Sequence, residues 1–168
     1  MPLTSIVIRR LSIFEIPALL RFRAKYDYKP PSDGENHTES LIYSFLKVLW
    51  HGERMVTLVA SKSGGDIIGY ISLIFGKNAK FKGNIYLVNA AVAATERGKG
   101  IGTRLFDEVE KYARLRGSRR VELEVFSRND AAIRLYKRLG YEVEGIKRRA
   151  VDNGREYDDL VFMAKLLD

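Results

Sequence analysis

The chain contains no cysteine and no glutamine, two histidines and a single tryptophan. Without cysteine there are no disulfides, no thiolate nucleophile and no cysteine-ligated zinc. His37 and His51 are 14 residues apart, a separation that fits no short metal-ligand spacing, so no metal site is expected. Every apolar run is interrupted by Lys, Arg, Asn or Gly well before the roughly 20 residues a membrane helix needs, so no membrane partner is expected. Met1-Pro2-Leu3-Thr4-Ser5 has no basic region followed by an apolar core. No secretory leader is read there, and a cytoplasmic location is expected. Low-complexity segments and internal repeats are also missing. The lack of Gln and Cys beside abundant Lys, Arg and Glu leans toward a thermophilic source.

What is present fits one ordinary domain spanning residues 1–168, with 46% hydrophobic and 30% charged residues. The net charge of +8 is spread along the chain, with an excess of 2 over residues 1–60, 2 over 61–96 and 4 over 97–168. Such a surface suits an anionic partner, either a phosphorylated cofactor or nucleic acid, and does not choose between them.

Thr4–Arg10 reads as a strand rich in β-branched residues. Ser12-x-x-Glu15 is a capping-box pattern, and a helix follows to about Tyr26. Residues 29–40 carry every loop signal, and Leu41, Ile42, Phe45, Leu46 and Leu49 then follow helical spacing up to His51-Gly52. Strands are expected at Met55–Ser61, Ile67–Phe75 and Ile85–Ala93, the first two joined by a Ser63-Gly64-Gly65-Asp66 turn. A helix over 100–116, a strand over Val121–Phe126 and a helix over 129–139 ending at Gly140 come next. Strands Tyr141–Val151 and Glu156–Leu166 close the chain around Asn153-Gly154. Strand–helix–strand in the middle implies a parallel pair, and the flanking hairpins imply antiparallel neighbours.

The segment with the most chemical content is Val92-Ala93-Ala94-Thr95-Glu96-Arg97-Gly98-Lys99-Gly100-Ile101-Gly102-Thr103. A strand enters a glycine-rich turn and then an amphipathic helix, whose first backbone N–H groups and dipole favour an anion. The three glycines keep side chains away from an incoming phosphate, and Arg97 and Lys99 add charge. The run is neither a nucleotide-triphosphate loop nor the Gly-x-Gly-x-x-Gly dinucleotide fingerprint.

Arg97-Gly98-Lys99-Gly100-Ile101-Gly102 resembles the pyrophosphate motif Arg/Gln-x-x-Gly-x-Gly/Ala of the GNAT superfamily of N-acetyltransferases. A second stretch, Asn129 to Tyr141, resembles that family's Asn-x-x-Ala-x-x-Leu-Tyr-x-x-x-Gly-Phe segment. The resemblance implies a single-domain α/β fold with a mixed, mostly antiparallel sheet, a splayed central parallel strand pair and helices on both faces. It implies acetyl-CoA as the cofactor, with coenzyme A as product. The backbone N–H groups of Arg97, Gly98, Lys99, Gly100, Ile101, Gly102 and Thr103 would hold the pyrophosphate. Val92 and Ala93 would pair with the pantetheine arm as an added strand. Asn129 would touch the cofactor from across the splay, Ala132 would lie where the next helix approaches it, and Lys137 or Arg138 would reach the 3′-phosphate. Tyr136 occupies the family's position for a general acid, a proton donor to the leaving thiolate.

Many relatives carry a Glu on the strand six residues before the position of Val92, and here that position is Tyr86. The base is therefore open among Glu124, Glu35, His37 and a water chain, with Glu122 beside Glu124 on the same strand. Asp33, Glu35 and Glu39 in the 29–40 loop could attract a cationic amine, or could simply be solvated. The acceptor is an amine, with a protein N-terminus, ribosomal proteins included, slightly preferred over a polyamine or other small amine. A non-catalytic acetyl-CoA sensor is the alternative. The basic run Arg114, Arg116, Arg119 and Arg120 is read as a helix C-terminus, which disfavours nucleic acid as a partner. A homodimer stays among the open alternatives.

Overall fold

The apolar runs Met55–Ser61 and Ile67–Phe75, buried on both faces, form two long strands that pair antiparallel. The computed structural model describes residues 6–26, 55–63, 65–76, 83–152 and 156–167. The expected loop over 29–40 and helix over 41–51 lie outside them. Among the described residues the strands are β1 (Val7–Arg10), β2 (Met55–Ser61), β3 (Ile67–Phe75), β4 (Asn84–Val92), β5 (Arg120–Phe126), β6 (Glu142–Asp152) and β7 (Tyr157–Leu166). The helices are α1 (Ile16–Tyr26), α2 (Ile101–Leu115) and α3 (Asp130–Arg138). The sheet order is β1-β2-β3-β4-β5-β7-β6, antiparallel throughout except for β4 beside β5. This is the mixed sheet with a central parallel pair that the element order implied.

Each face of the sheet is covered for a reason visible in the sequence. On α2, Ile101, Leu105, Val109 and Ala113 recur every four residues and are all buried. They pack with Val56, Leu58, Ile71, Leu73, Ile85, Val121, Leu123 and Val125 into the main core. At roughly 1.5–3 kcal/mol per fully buried aliphatic side chain, this layer supplies much of the folding energy. The opposite face is covered by α1, where Leu19 and Phe22 meet Val59, Tyr70 and Ala93. Phe22 meets the Tyr70 ring edge-on at 6.0 Å. The entry to α1 is fixed as the sequence suggested: the Ser12 N–H donates to the Glu15 carboxylate at 3.1 Å, and the same carboxylate pairs with Arg9 on β1.

Candidate active site

β4 and β5 pair only at Asn84–Arg120, Ile85–Val121 and Tyr86–Glu122. Beyond those residues both strands continue, to Val92 and Phe126, without pairing to each other. The divergence coincides with a bulge. Ser72 on β3 faces Asn89 while Leu73 faces Leu87, so Val88 is an extra residue in β4. A bulge bends its strand and increases local twist, which carries β4 away from β5. Between the separated strands lies a cavity of about 650 Å³.

The bulge also reverses which face each β4 side chain takes. Before it, Ile85 and Leu87 belong to the α2-side core; after it, Val92 does, while Ala91 and Ala93 turn toward α1. Hydrogen bonding gives the backbone parity. The Ala93 N–H donates to the Ile68 carbonyl at 2.9 Å, so Gly69 opposite Val92 is a non-hydrogen-bonded pair. Two residues back, Ile71 opposite Ala90 is another. The N–H and C=O of Ala90 and Val92 therefore point away from β3 and into the gap. This corrects the expectation for Ala93. Its N–H is held by β3, its carbonyl accepts the Glu96 N–H at 2.8 Å, and it does not line the cavity. Only alternate residues of a strand face one edge, so the backbone groups facing the gap are those of Val92 and Ala90. Sequence patterning could not show this, because an extra residue within a β-branched run leaves no mark.

The glycine-rich loop closes one end of the cavity. Gly98 and Gly100 both have φ of +76°, a left-handed conformation that a residue with a Cβ adopts at a cost. No atom lies within 4 Å of a Cβ built at either one, so conformation and not crowding selects glycine there. Gly102 differs: a Cβ would come 3.1 Å from Leu135 Cδ2, so this glycine serves close packing of α2 on α3. Among the described residues, the N–H groups of Gly98 through Thr103 have no backbone acceptor, and the first helical bond is Arg104 N–H to Gly100 O at 3.0 Å. Six such donors precede or open α2, an arrangement that favours an anion. Arg97 does not add a seventh, because its N–H is turned to Ala94 O at 3.4 Å. Its side chain lines the cavity instead, with Nε donating to the Val92 carbonyl at 3.2 Å.

The Lys99 side chain, expected to add charge at the loop, is turned elsewhere. It does not line the cavity, and its Nζ is 3.1 Å from Glu96. Glu96 is buried, and its other oxygen accepts from Lys62 Nζ at 2.7 Å. Hydrogen bonds from Lys62 and then Lys99 hold the Glu96 carboxyl below its ordinary pKa. This carboxylate ties the turn before the loop to the β2–β3 hairpin. The sequence reading missed it because nothing in the local pattern separates Glu96 from a solvated residue.

α3 forms the far wall. Asn129 caps it, with Oδ1 accepting from the Ala132 N–H at 3.2 Å, and both residues line the cavity. Tyr136 lines it too, with its ring centroid 5.2 Å from Phe106. Burial pushes the Tyr136 hydroxyl up to about 12, so it carries its proton through the whole physiological range. Of the two residues considered for a terminal phosphate, Arg138 faces the cavity and Lys137 does not. Ten of the twelve site residues named from sequence thus line one cavity, with Ala93 and Lys99 the exceptions.

The sequence profile described as "Acetyltransferase (GNAT) family" matches residues 19–141. The chain belongs to the GNAT acetyltransferase family. Among curated relatives, it is 34% identical over 113 residues to the L-methionine sulfoximine/L-methionine sulfone acetyltransferase of Pseudomonas aeruginosa. That match covers 66% of this chain and 64% of the relative. It is 35% identical over 92 residues to the N-alpha-acetyltransferase RimI of Mycobacterium tuberculosis, covering 54% of this chain and 55% of that one. The matched segments thus span little more than half to just under two thirds of these relatives. Among solved structures, the ribosomal-protein-S18-alanine N-acetyltransferase of Escherichia coli superposes with a TM-score of 0.79 at 22% identity, covering 98% of this chain and 95% of that one.

Within this GNAT fold, the residues open as candidate bases separate clearly. Glu35 and His37 lie outside the described residues. Glu122 is engaged, accepting from Arg120 Nε at 2.5 Å and Asn84 Nδ2 at 3.0 Å. Glu124 is exposed, lines the cavity and has no ion-pair partner among the described residues. In the basic run, Arg120 is paired with Glu122 and Glu144, and Arg116 stacks over Phe75 and Tyr112 at 5.2 and 5.5 Å. Arg116 is the C-cap of α2, and Arg120 begins β5. No described helix is long and apolar enough to cross a membrane, and no described cluster of His, Asp or Glu could hold a metal.

Proposed function

We propose that the protein is an acetyl-CoA-dependent N-acetyltransferase acting on the α-amine at a protein N-terminus. The observation that carries the reading is the continuous donor surface from the Ala90 and Val92 edge to the Gly98–Thr103 cradle. An edge that alternates N–H and C=O suits an extended amide-bearing chain, and six N–H groups without backbone acceptors at a helix N-terminus suit a pyrophosphate. Acetyl-CoA has both parts in that order, and a cavity of about 650 Å³ has room for much of its arm. Arg138, which lines the cavity, would meet a terminal phosphate.

When bound, acetyl-CoA supplies an acetyl group activated as a thioester. The chain supplies orientation and two proton positions. Glu124, on the α1 face of β5, accepts a proton from the incoming ammonium. Tyr136 Oη, on the opposite wall, holds a proton for the departing sulfur. An N-terminal amine, with a pKa near 8, costs about 1 kcal/mol to deprotonate at pH 7, against about 5 for a lysine-like amine. A site with Tyr86 rather than a carboxylate on β4, and the single exposed Glu124 on β5, meets the smaller demand more readily. A free amino acid is the second reading, favoured by the 34% identity to the methionine sulfoximine enzyme.

Calorimetry with acetyl-CoA, coenzyme A and 3′-dephospho-coenzyme A tests the cofactor, on wild type and Gly100→Glu. Binding abolished by Gly100→Glu is expected, followed by transfer to short peptides. A folded protein that binds none of the three overturns the reading.

A further inference from the structure

The two splayed strands each present one polar side chain to the α1 side of the opening. On β5, Leu123 and Val125 are in the α2-side core, so Glu124 faces the other way. On β4 the bulge at Val88 turns Asn89 to that same face, in line with Ala91 and Ala93. Without the bulge, Asn89 would point into the α2-side core. Both side chains are exposed, both line the cavity, and neither has a side-chain hydrogen bond among the described residues. Behind Asn89, Ser72 is its register partner and shares a buried 2.9 Å hydrogen bond with Thr57, so the strand beneath is tied by hydroxyls. Tyr26, Tyr70 and Phe126 complete the walls on this face.

A carboxylate accounts for the acceptor's ammonium. An amide beside it is redundant for a polyamine or a lysine side chain, where methylenes follow the nitrogen. An α-amine is different, because a carbonyl oxygen stands one carbon away and needs a donor. We infer that Asn89 is a specificity residue whose Nδ2 donates to the carbonyl of the acceptor's first residue while Glu124 receives the amine. This deepens the acetyltransferase reading and rests on it. The same geometry separates a peptide from a free amino acid. A free carboxylate asks for a cation; the cationic residues lining the described cavity are Arg97 in the loop and Arg138 on α3, neither on these strand faces, and Arg23 of α1 lies over the Tyr70 ring at 5.8 Å without lining it. A neutral peptide carbonyl needs only the amide.

The test measures kcat and KM for a short peptide amide beginning with Ala, beside an analogue whose first C=O is reduced to CH₂. Wild type, Asn89→Ala and Asn89→Asp are compared. Both variants should lower kcat/KM for the peptide about tenfold, through KM, the worth of one hydrogen bond to a neutral carbonyl. The reduced analogue should be a poor substrate of wild type and no worse for either variant. Acetyl-CoA affinity and Tm should not move, since Asn89 is exposed and off the cofactor edge. Equal losses on both acceptors, or no loss on the peptide, would overturn the assignment and leave the acetyltransferase reading standing. Wild type that binds acetyl-CoA and acetylates alkylamines but no peptide would overturn the assignment together with the acceptor class. Failure to bind acetyl-CoA at all would overturn the underlying reading.

Discussion

Tyr86 and Glu122 are the last residues at which β4 and β5 pair, and they fasten the vertex of the opening. The Tyr86 hydroxyl is pushed up first by burial and then by the Glu122 charge, with Asn84 acting in the opposite direction. Glu122 also takes Arg120 and Asn84, and Arg120 continues to Glu144 on β6. One partly buried carboxylate thus joins three strands where the site begins to open. Tyr86, where the family resemblance would put a carboxylate, here stands at the vertex of the frame.

Removing Glu122 should therefore act on stability before chemistry. Glu122→Ala strands the Arg120 and Asn84 donors and should cost about 1–3 kcal/mol, read as a lowered denaturant midpoint. Peptide kcat should change far less than in Glu124→Ala, which retains the vertex and loses the exposed carboxylate. A larger kcat loss for Glu122→Ala would mean that the base had been assigned to the wrong residue of the pair.

The loop glycines should separate by mechanism. Gly100→Ala places a Cβ at φ +76° and should cost about 1–2 kcal/mol in strain, with a matching loss of acetyl-CoA affinity as the N–H groups turn. Gly102→Ala meets only the mobile Cδ2 of Leu135 at 3.1 Å, so its first effect is on the packing of α2 against α3. Calorimetry should show the larger affinity loss for Gly100→Ala.

Most of the fold was legible because its signals are local. Short apolar runs between turn residues, the Ser12–Glu15 box and Gly140 after α3 each specify an element within a few residues. The glycine loop was legible for the same reason. Three features were not. The bulge at Val88 decides which of Ala90, Val92 and Ala93 face the gap, yet it arises from how β3 and β4 align. The Lys62–Glu96–Lys99 cluster joins residues 34 apart in sequence, through a fold that composition does not encode. Asn89 gains its direction from the same bulge, so no window of the sequence places it beside Glu124.

Tyr136→Phe should lower kcat about 100-fold or more with acetyl-CoA affinity nearly unchanged, since the ring and its packing on Phe106 remain. The hydroxyl is raised from 10.0 to about 12 by burial, so the unfolded chain ionises first. Its stabilising contribution is complete below about pH 10 and is lost as pH rises toward 12. The variant should flatten part of that alkaline decline in a denaturation series. Tyr141, buried beside it and raised in the same direction, keeps the remainder.

Glu96 carries the opposite sign. Lys62 and Lys99 hold its carboxyl below the ordinary 4.5, so its contribution is complete above that pH. As pH falls through the lowered folded value the contribution is lost. Glu96→Gln should remove this acid-side slope from the denaturant midpoint. Lys62→Met should remove part of it, and the double variant should resemble Glu96→Gln alone, because the lysine acts through the carboxylate. Acetyl-CoA KM should rise in Glu96→Gln with kcat preserved, since the cluster holds the turn before the anion cradle and touches no reacting atom. Should kcat fall instead while KM holds, Glu96 would belong to the chemistry and not to the frame that carries the loop.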